Sequence, residues 1–301
     1  LAARAAIAAA DAARAQLAWG LAADWYGRAL ELGASRDVRA ARAECLFLGG
    51  KLADAATEFE TLASSEPDGD RWRVRAAESY IKLGELKRGL SIIDGVLARR
   101  GHPRAKGRAA STVRAVRVAA RWLVPAPLRQ RPAADDVLAA AYRVIASFLS
   151  TPYPIESFEY VLRGIDRAEG AGDHAAHAMG MAMLAAYLAT GSLGRFGDRA
   201  IASAQRLSLQ SGAPYPRMVA AGCSGIVATL RGNWSGMRLA HEEGSRICVK
   251  LGLERSWEAS FLRAYWALGE YYAGEPTRAL AMLGELDSDD LITRGMLGSY
   301  R

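Results

Sequence analysis

Apolar residues recur along this chain at i, i+3, i+4 and i+7, the spacing that lines one face of an α-helix. Leu46, Phe47, Leu52, Ala55, Ala56, Phe59 and Leu62 form one such stripe. Each stretch runs for roughly 12–20 residues, an ordinary helix length. No strict alternation of useful length occurs, so no sheet is predicted. The breaks between stretches are short and of two kinds. One ends on a glycine suited to a left-handed helix cap: Gly33, Gly172, Gly212 and Gly252. The other is a tight turn, as in Leu48-Gly49-Gly50-Lys51, Leu83-Gly84-Glu85, Thr190-Gly191-Ser192, Arg231-Gly232-Asn233 and Ala273-Gly274-Glu275-Pro276. Pro276 fits a first helical position, where a missing N–H costs nothing. Alternating turn types predict helical hairpins placed side by side.

The breaks also keep a pitch. Gly172, Gly212 and Gly252 are 40 residues apart each time, and Gly191, Gly232 and Gly274 interleave at steps of 41 and 42. Upstream, Ala22, Ala55 and Gly89 are spaced by 33 and 34, as are Tyr26, Phe59 and Ile93, and Ala29, Leu62 and Val96. Such a period marks stacked repeats, each of which buries its apolar face only against its neighbours. The expected fold is all-α, a right-handed α-solenoid of stacked helical hairpins with about sixteen helices. Residues 1–100 and 135–301 read as two repeat arrays. Residues 101–134 break the rhythm with Gly101, Pro103, Gly107, Pro125, Pro127 and Pro132, around one amphipathic helix from Ser111 to Val124.

The first array resembles the tetratricopeptide repeat. Its second unit carries Leu48, Gly49, Gly50, Ala55, Phe59, Leu62 and Pro67. The third has Tyr80, Leu83 and Gly84, with Gly89 in the alanine place and Ile93 in the aromatic place, while the first keeps only Ala22, Tyr26 and Ala29. Tyr187-Leu-Ala-Thr-Gly191, Gly232-Asn-Trp234 and Trp266-Ala-Leu-Gly-Glu-Tyr-Tyr272 resemble the helical-repeat regions that follow the ATPase module in bacterial multidomain signalling proteins. Those proteins often join a serine/threonine kinase to a STAND/AAA-type ATPase. The resemblance implies a scaffolding or sensing arm whose partner is a protein, a peptide or the parent chain's own kinase and ATPase modules. Neither a phosphate-binding loop nor a kinase catalytic loop occurs here, so this piece is expected not to be an enzyme and to need no cofactor. It starts at Leu1 and ends at Arg301 within helical pattern, as a piece of a longer protein would.

Charge changes the picture in one place. The net charge is +7, yet ten Arg and Lys residues lie between Asp94 and Asp135 with no acidic residue among them. The basicity therefore belongs to the connector. Within it Arg114, Arg117 and Arg121 share one helix face, and Val113, Val116, Ala120 and Val124 are expected on the other, by which the helix would dock. Such a helix offers contacts to an acidic partner or a phosphate group, and, as an alternative, to nucleic acid or an anionic membrane. Nucleic acid is the weaker fit, since only Trp122 interleaves with the arginines.

Other candidate chemistry does not assemble. Asp173, His174 and His177 share a helix start, but no fourth ligand is near, and Asp173 reads as an N-cap. His241-Glu242-Glu243 lacks the second histidine of a zinc-protease helix, since position 245 is Ser245. Cys223-Ser224-Gly225 reads as packing. No catalytic or metal-binding residue is assigned. Most tryptophans are expected in the core, with Trp257, Phe261, Tyr265 and Tyr272 as one stripe. Cys45, Cys223 and Cys248 show no paired spacing, which fits reduced thiols and a cytoplasmic setting. The longest apolar run, Met179 to Ala189, is far short of the ~20 residues that span a bilayer.

Overall fold

A computed structural model describes residues 1–105, 107–122, 132–150 and 153–284. They form an all-α protein. Fifteen α-helices follow one another among the described residues: α1 (Ala2–Ala15), α2 (Trp19–Glu31), α3 (Arg36–Leu48), α4 (Leu52–Ser64), α5 (Asp70–Lys82), α6 (Leu86–Arg99), α7 (Arg108–Arg121), α8 (Asp136–Leu149), α9 (Pro154–Ala171), α10 (His174–Tyr187), α11 (Gly194–Gln210), α12 (Pro214–Leu230), α13 (Trp234–Lys250), α14 (Trp257–Tyr272) and α15 (Pro276–Gly284). A 3-10 turn, Gly191–Leu193, precedes α11. No strand occurs among these residues.

Local chemistry sets the helix ends. All nine of the glycines predicted at breaks that carry the turn or cap (Gly33, Gly50, Gly84, Gly172, Gly191, Gly212, Gly232, Gly252 and Gly274) have positive φ, between 63° and 91°. Proline opens α9, α12 and α15, where its fixed φ already suits a helix. Asp135 and Asp173 cap α8 and α10 by accepting the backbone N–H of Leu138 and Ala176, each at 2.9 Å.

The chain divides into two compact units. The first contains Leu1–Val96 together with Cys248–Phe261. Within it, each helix from α1 to α5 packs on the next. The residues at the 33- and 34-residue spacings fill its core: Ala22, Ala29, Ala55, Phe59, Leu62, Ile93 and Val96 are fully excluded from solvent, and Tyr26 nearly so. Phe59 lies edge-on to Phe47 at 6.3 Å and stacks on Trp72 at 5.9 Å. Gly89 takes the alanine place because α6 crosses α5 too closely there; a Cβ would collide with the Ile81 side chain. The later segment joins this unit through side chains as well, with Trp19 Nε1 donating to the Leu251 carbonyl at 3.2 Å.

The second unit contains Leu97–Ile247 and 262–284. Here α8, α9, α10, α11 and α12 each pack on the next, α10 also meets α12, and α7 lies on α9. Tyr142, Ile145, Leu149 and Ile165 form the buried contact of α8 with α9, and Ala182, Ala204, Ala220 and Cys223 a tighter one among α10, α11 and α12. The C-terminal aromatic stripe departs from expectation. On α14 the buried positions are Leu262, Ala264, Ala267, Gly269 and Glu270, whereas Trp257, Phe261 and Tyr265 are only half-buried and Tyr272 is 62% exposed. Small residues take the closest approach, and the rings are left to cover the edge.

Candidate functional site

The basic helix α7 docks by a different face from the one its valines suggest. Ser111, Ala115 and Val118 are buried, at i, i+4 and i+7, whereas Val113 and Val116 are 60% and 63% exposed. Val124 lies outside the described residues. Ser111 and Ala115 are small, which lets the first two turns of this face approach closely, and Val118 fills the third. This rotation carries Arg114 to the edge of the docking face and leaves Arg117 and Arg121 exposed.

A cavity of 240 Å³ opens beside that edge, lined by Gly101, His102, Pro103, Arg114, Arg117, Tyr142, Glu159, Tyr160 and Arg163. The turn after α6 forms one wall. Gly101 has φ +75°, and the His102 backbone N–H closes on the Leu97 carbonyl at 2.8 Å, which turns the imidazole toward α8. There His102 meets Tyr142 edge-on at 6.3 Å, and Tyr142 packs on Tyr160 at 5.5 Å. Arg114 is fixed by donating to the Pro103 carbonyl at 2.6 Å. Arg104 is tied to Glu156 at 3.1 Å and Arg100 to Asp135 at 3.3 Å, so these two cations are neutralised outside the lining.

The floor comes from α9. Glu159, Arg163 and Arg167 are one turn apart, and each meets the next turn's charge on the same side of the helix. Arg163 Nε donates to Glu159 Oε1 at 2.8 Å. Arg167 donates to the Ala133 carbonyl at 2.6 Å, and its second amino group lies 3.3 Å from His102 Nε2. A guanidinium can only donate, so His102 Nε2 accepts and the ring's proton belongs on Nδ1. Burial and then the charges of Arg167 and Arg163 push the His102 pKa down, which keeps this acceptor available. Burial pushes the Glu159 carboxyl above its usual range, against the pull of Arg163 and Arg114. Burial likewise raises the Tyr142 and Tyr160 hydroxyls, so both stay protonated.

Two features of the cavity are unbalanced. Three guanidinium groups line it against one carboxylate, and neither Arg114 nor Arg117 has an ion-pair partner among the described residues. Glu159 is 1% exposed, and its Oε2 atom has no hydrogen-bond partner among the described residues. A buried carboxylate oxygen without a donor costs free energy.

Of the three arginines singled out from sequence, Arg114 and Arg117 line the cavity and Arg121 does not. His102, Tyr142, Glu159, Tyr160 and Arg163 were not among the sequence candidates. The one signal they carry is the Glu159, Arg163, Arg167 stripe, a charged line beside the apolar Leu162 and Ile165 on a helix that is otherwise buried. Asp173 serves as the N-cap of α10. His241 and Gly225 come together in the second unit, with both imidazole nitrogens lacking hydrogen-bond partners among the described residues and the ring stacked on Trp266 at 6.0 Å. No described helix is long and apolar enough to cross a membrane. No family model, curated protein or solved structure matches the chain.

Proposed function

We propose that this chain is the interaction arm of a larger bacterial signalling protein. In this reading its hairpins stack as a tetratricopeptide-like right-handed solenoid, which holds the Arg114–Arg117–Arg163 cavity open for an anionic group. That group sits on a protein or peptide partner, or on the parent chain's own kinase or ATPase module. The observation that carries the reading is the imbalance of three guanidinium groups against one carboxylate around a preformed cavity. Guanidinium groups fixed in place recognise carboxylate and phosphate with little loss of freedom.

The test is calorimetric titration of the whole chain with a Glu-rich decapeptide at low and high salt. Binding is expected to weaken with salt, and each of Arg114→Gln and Arg117→Gln to weaken it about tenfold or more, the usual size of a lost charge-assisted hydrogen bond. Absence of binding, or binding indifferent to both substitutions, sets the reading aside.

A second reading rests on the outward face of α7. Exposed Val113 and Val116 beside exposed Arg117 and Arg121 fit an anionic membrane surface. It predicts sedimentation with vesicles rich in phosphatidylserine, none with phosphatidylcholine alone, and loss on Val113→Ser with Val116→Ser. If the helix instead binds single-stranded DNA, with an affinity that falls steeply with salt, the contact is to nucleic acid.

A further inference from the structure

A second cavity, also of 240 Å³, lies where a contact between helices is missing. In the second unit α10 packs closely on α12, whereas α8 and α10 barely meet, although both lie on α9. The floor is therefore α9, and α8 and α10 are the walls. The walls are lined by small or flexible side chains: Ala139 and Ala140 on α8, and Ala176, Met179 and Met183 on α10. Two glycines also line the cavity, and having no side chain they offer it main chain. Packing accounts for Gly180, where a Cβ would stand 2.6 Å from Ile165 Cγ1. It does not account for Gly164, where a Cβ would have one neighbour within 4 Å, Tyr142 Cβ at 3.9 Å. Alanine is the better helix former and has room at this place. Bare main chain in the middle of α9 fits a site where a bound group comes close to the backbone.

The carboxylates of the lining stand at one end. The helices α8, α9 and α10 pack in sequence through short connections, so α8 and α10 run the same way and their N-termini share an end. Asp136, in the first turn of α8, and Asp173, the cap of α10, line the cavity there, against the one guanidinium of Arg143 further along α8. Both aspartates are exposed, and Asp136 has no ion-pair partner among the described residues. We propose that this cavity binds a small free amine with an aromatic body, the ring over Gly164 and the ammonium toward the two aspartates. Methionine thioethers adapt to a ring and attract its edge. A volume of 240 Å³ is below the roughly 300–1,000 Å³ of drug-sized sites, which suits one ring and a short chain rather than a nucleotide or a helix. A lysine side chain of a partner protein is a single methylene chain and would leave much of that volume empty. The site shares only Tyr160 with the arginine-lined cavity and does not rest on the reading given for it. An amine held here would brace two helices that otherwise barely meet, and so give the arm a small-molecule input.

The experiment is calorimetric titration of the whole chain at pH 7 with 3-phenylpropylamine, its neutral counterpart 3-phenylpropanol and the anion 3-phenylpropanoate. NMR of isotope-labelled methionine methyl groups locates the bound amine. The amine is expected to bind about tenfold more tightly than the alcohol, the usual margin of a charge-assisted hydrogen bond over a neutral one, and the anion to bind least. The signals of Met179 and Met183, assigned through Met179→Leu and Met183→Leu, are expected to move. In Asp136→Asn/Asp173→Asn, which keeps a capping side chain on α10, the amine falls to the level of the alcohol. Gly164→Ala is expected to melt no lower than the unaltered chain and to bind the amine about tenfold more weakly, since its methyl group takes the ring's place. Equal binding of amine and alcohol overturns the assignment, as does tighter binding of the anion. Amine binding that a folded Gly164→Ala leaves intact, or that moves neither methionine signal, also overturns it. If a peptide rich in lysine and leucine binds at those methionines and the free amine does not, the occupant is a partner's side chain and the assignment fails. If no amine binds it fails as well, and the arginine-lined cavity is judged separately by its own titration.

Discussion

Two clusters of buried charge, one in each unit, are closed to different degrees. In the first, the charges close on one another. Lys82 is 4% exposed, and its ammonium lies 2.8 Å from Glu258 and 3.5 Å from Glu78. Arg75 bridges Glu78, at 3.0 Å, to Glu44. The faces of Phe47 and Trp257 cover the ammonium at 4.2 and 5.3 Å. Burial alone would push the Glu258 carboxyl up, but the charge and hydrogen bond of Lys82 hold it below its usual range. In the second, Glu159 pairs with Arg163 but keeps one oxygen without a hydrogen-bond partner among the described residues, and elsewhere in that unit both nitrogens of buried His241 are likewise without one. A satisfied network of this kind holds elements together, whereas an incomplete one either waits for a ligand or carries a standing cost.

The sharpest way to break the comparison is to open the closed network. Lys82→Met takes the ammonium away from Glu258 and leaves that carboxylate facing Glu78, which keeps Arg75. The expected loss is about 3–5 kcal/mol, the usual consequence of deleting one partner of a buried pair. Urea unfolding followed by circular dichroism measures it. The triple change Lys82→Met, Glu78→Gln and Glu258→Gln removes the stranded charge and is expected to recover a large share. If Lys82→Met unfolds at the same urea concentration as the unaltered chain, the network is not closed in solution and the contrast between the units fails.

That network also marks where sequence reading ends. The glycine breaks, the small-residue register of Ala22, Ala55 and Gly89, and the Asp173 cap were all legible, because each is set by neighbours within a few turns. The contact of Lys82 with Glu258 spans 176 positions. Periodicity compares a residue with its counterpart in the next repeat and carries no information on so distant a partner. For the same reason the docking face of α7 was misread. Val113 and Val116 satisfy the helical pattern as well as Ala115 and Val118 do, and only the proximity of α9 decides between them. The cavity is a third case. Its arginines on α7 stood out as an unbalanced charge run, while Glu159 and Arg163 cancel in any local count of charge.

The incomplete groups of the second unit should respond to acid. His241 is fully buried, stacked on Trp266, with Gly225 against one side and the Glu270–Arg238 pair nearby, in which Arg238 donates to Glu270 at 2.8 Å. Burial lowers its pKa from 6.5 to about 4, opposed weakly by the Glu270 charge. Between those values the unfolded chain binds the proton and the folded chain does not, so stability rises with pH. The contribution is complete above pH 6.5 and is lost as pH falls toward 4. The span amounts to roughly 3 kcal/mol. His241→Phe is expected to flatten this part of the acid limb and to be neutral or stabilising at pH 7, since it removes two unpartnered nitrogens. Urea midpoints at pH 7, 5.5 and 4.5 supply the check. An acid limb unchanged by the substitution would mean that His241 is hydrated, and the unit would then hold one incomplete group fewer.

A smaller effect tests how tightly that imidazole is held. A methyl group added at Gly225 would stand 2.5 Å from His241 Nε2 and 2.7 Å from its Cδ2. Gly225→Ala is therefore expected to cost about 1–3 kcal/mol by overpacking. In the background of His241→Ala the ring is gone, and the same methyl group should be tolerated. The double-mutant cycle isolates the clash from any general preference of this helix for alanine, which acts in the opposite direction. Equal cost in both backgrounds would mean that the ring has room to move.

The smallest expected change sets the floor against which the buried groups are judged. Asp173 is exposed and makes one contact of structural weight, its carboxylate accepting the Ala176 N–H at 2.9 Å. It faces water, so no desolvated partner is stranded when it is removed. Asp173→Ala should cost about 1 kcal/mol, the typical value of an N-cap, and Asp173→Asn little or nothing. Asp135 makes the same cap on α8 but also meets Arg100 at 3.3 Å, so Asp135→Ala should cost measurably more. Thermal melts of the two alanine variants place them in order. If Asp173→Ala proves as damaging as Lys82→Met, helix α10 depends on its cap rather than on its packing. The distinction drawn from buried charge would then no longer rank the contributions in this protein.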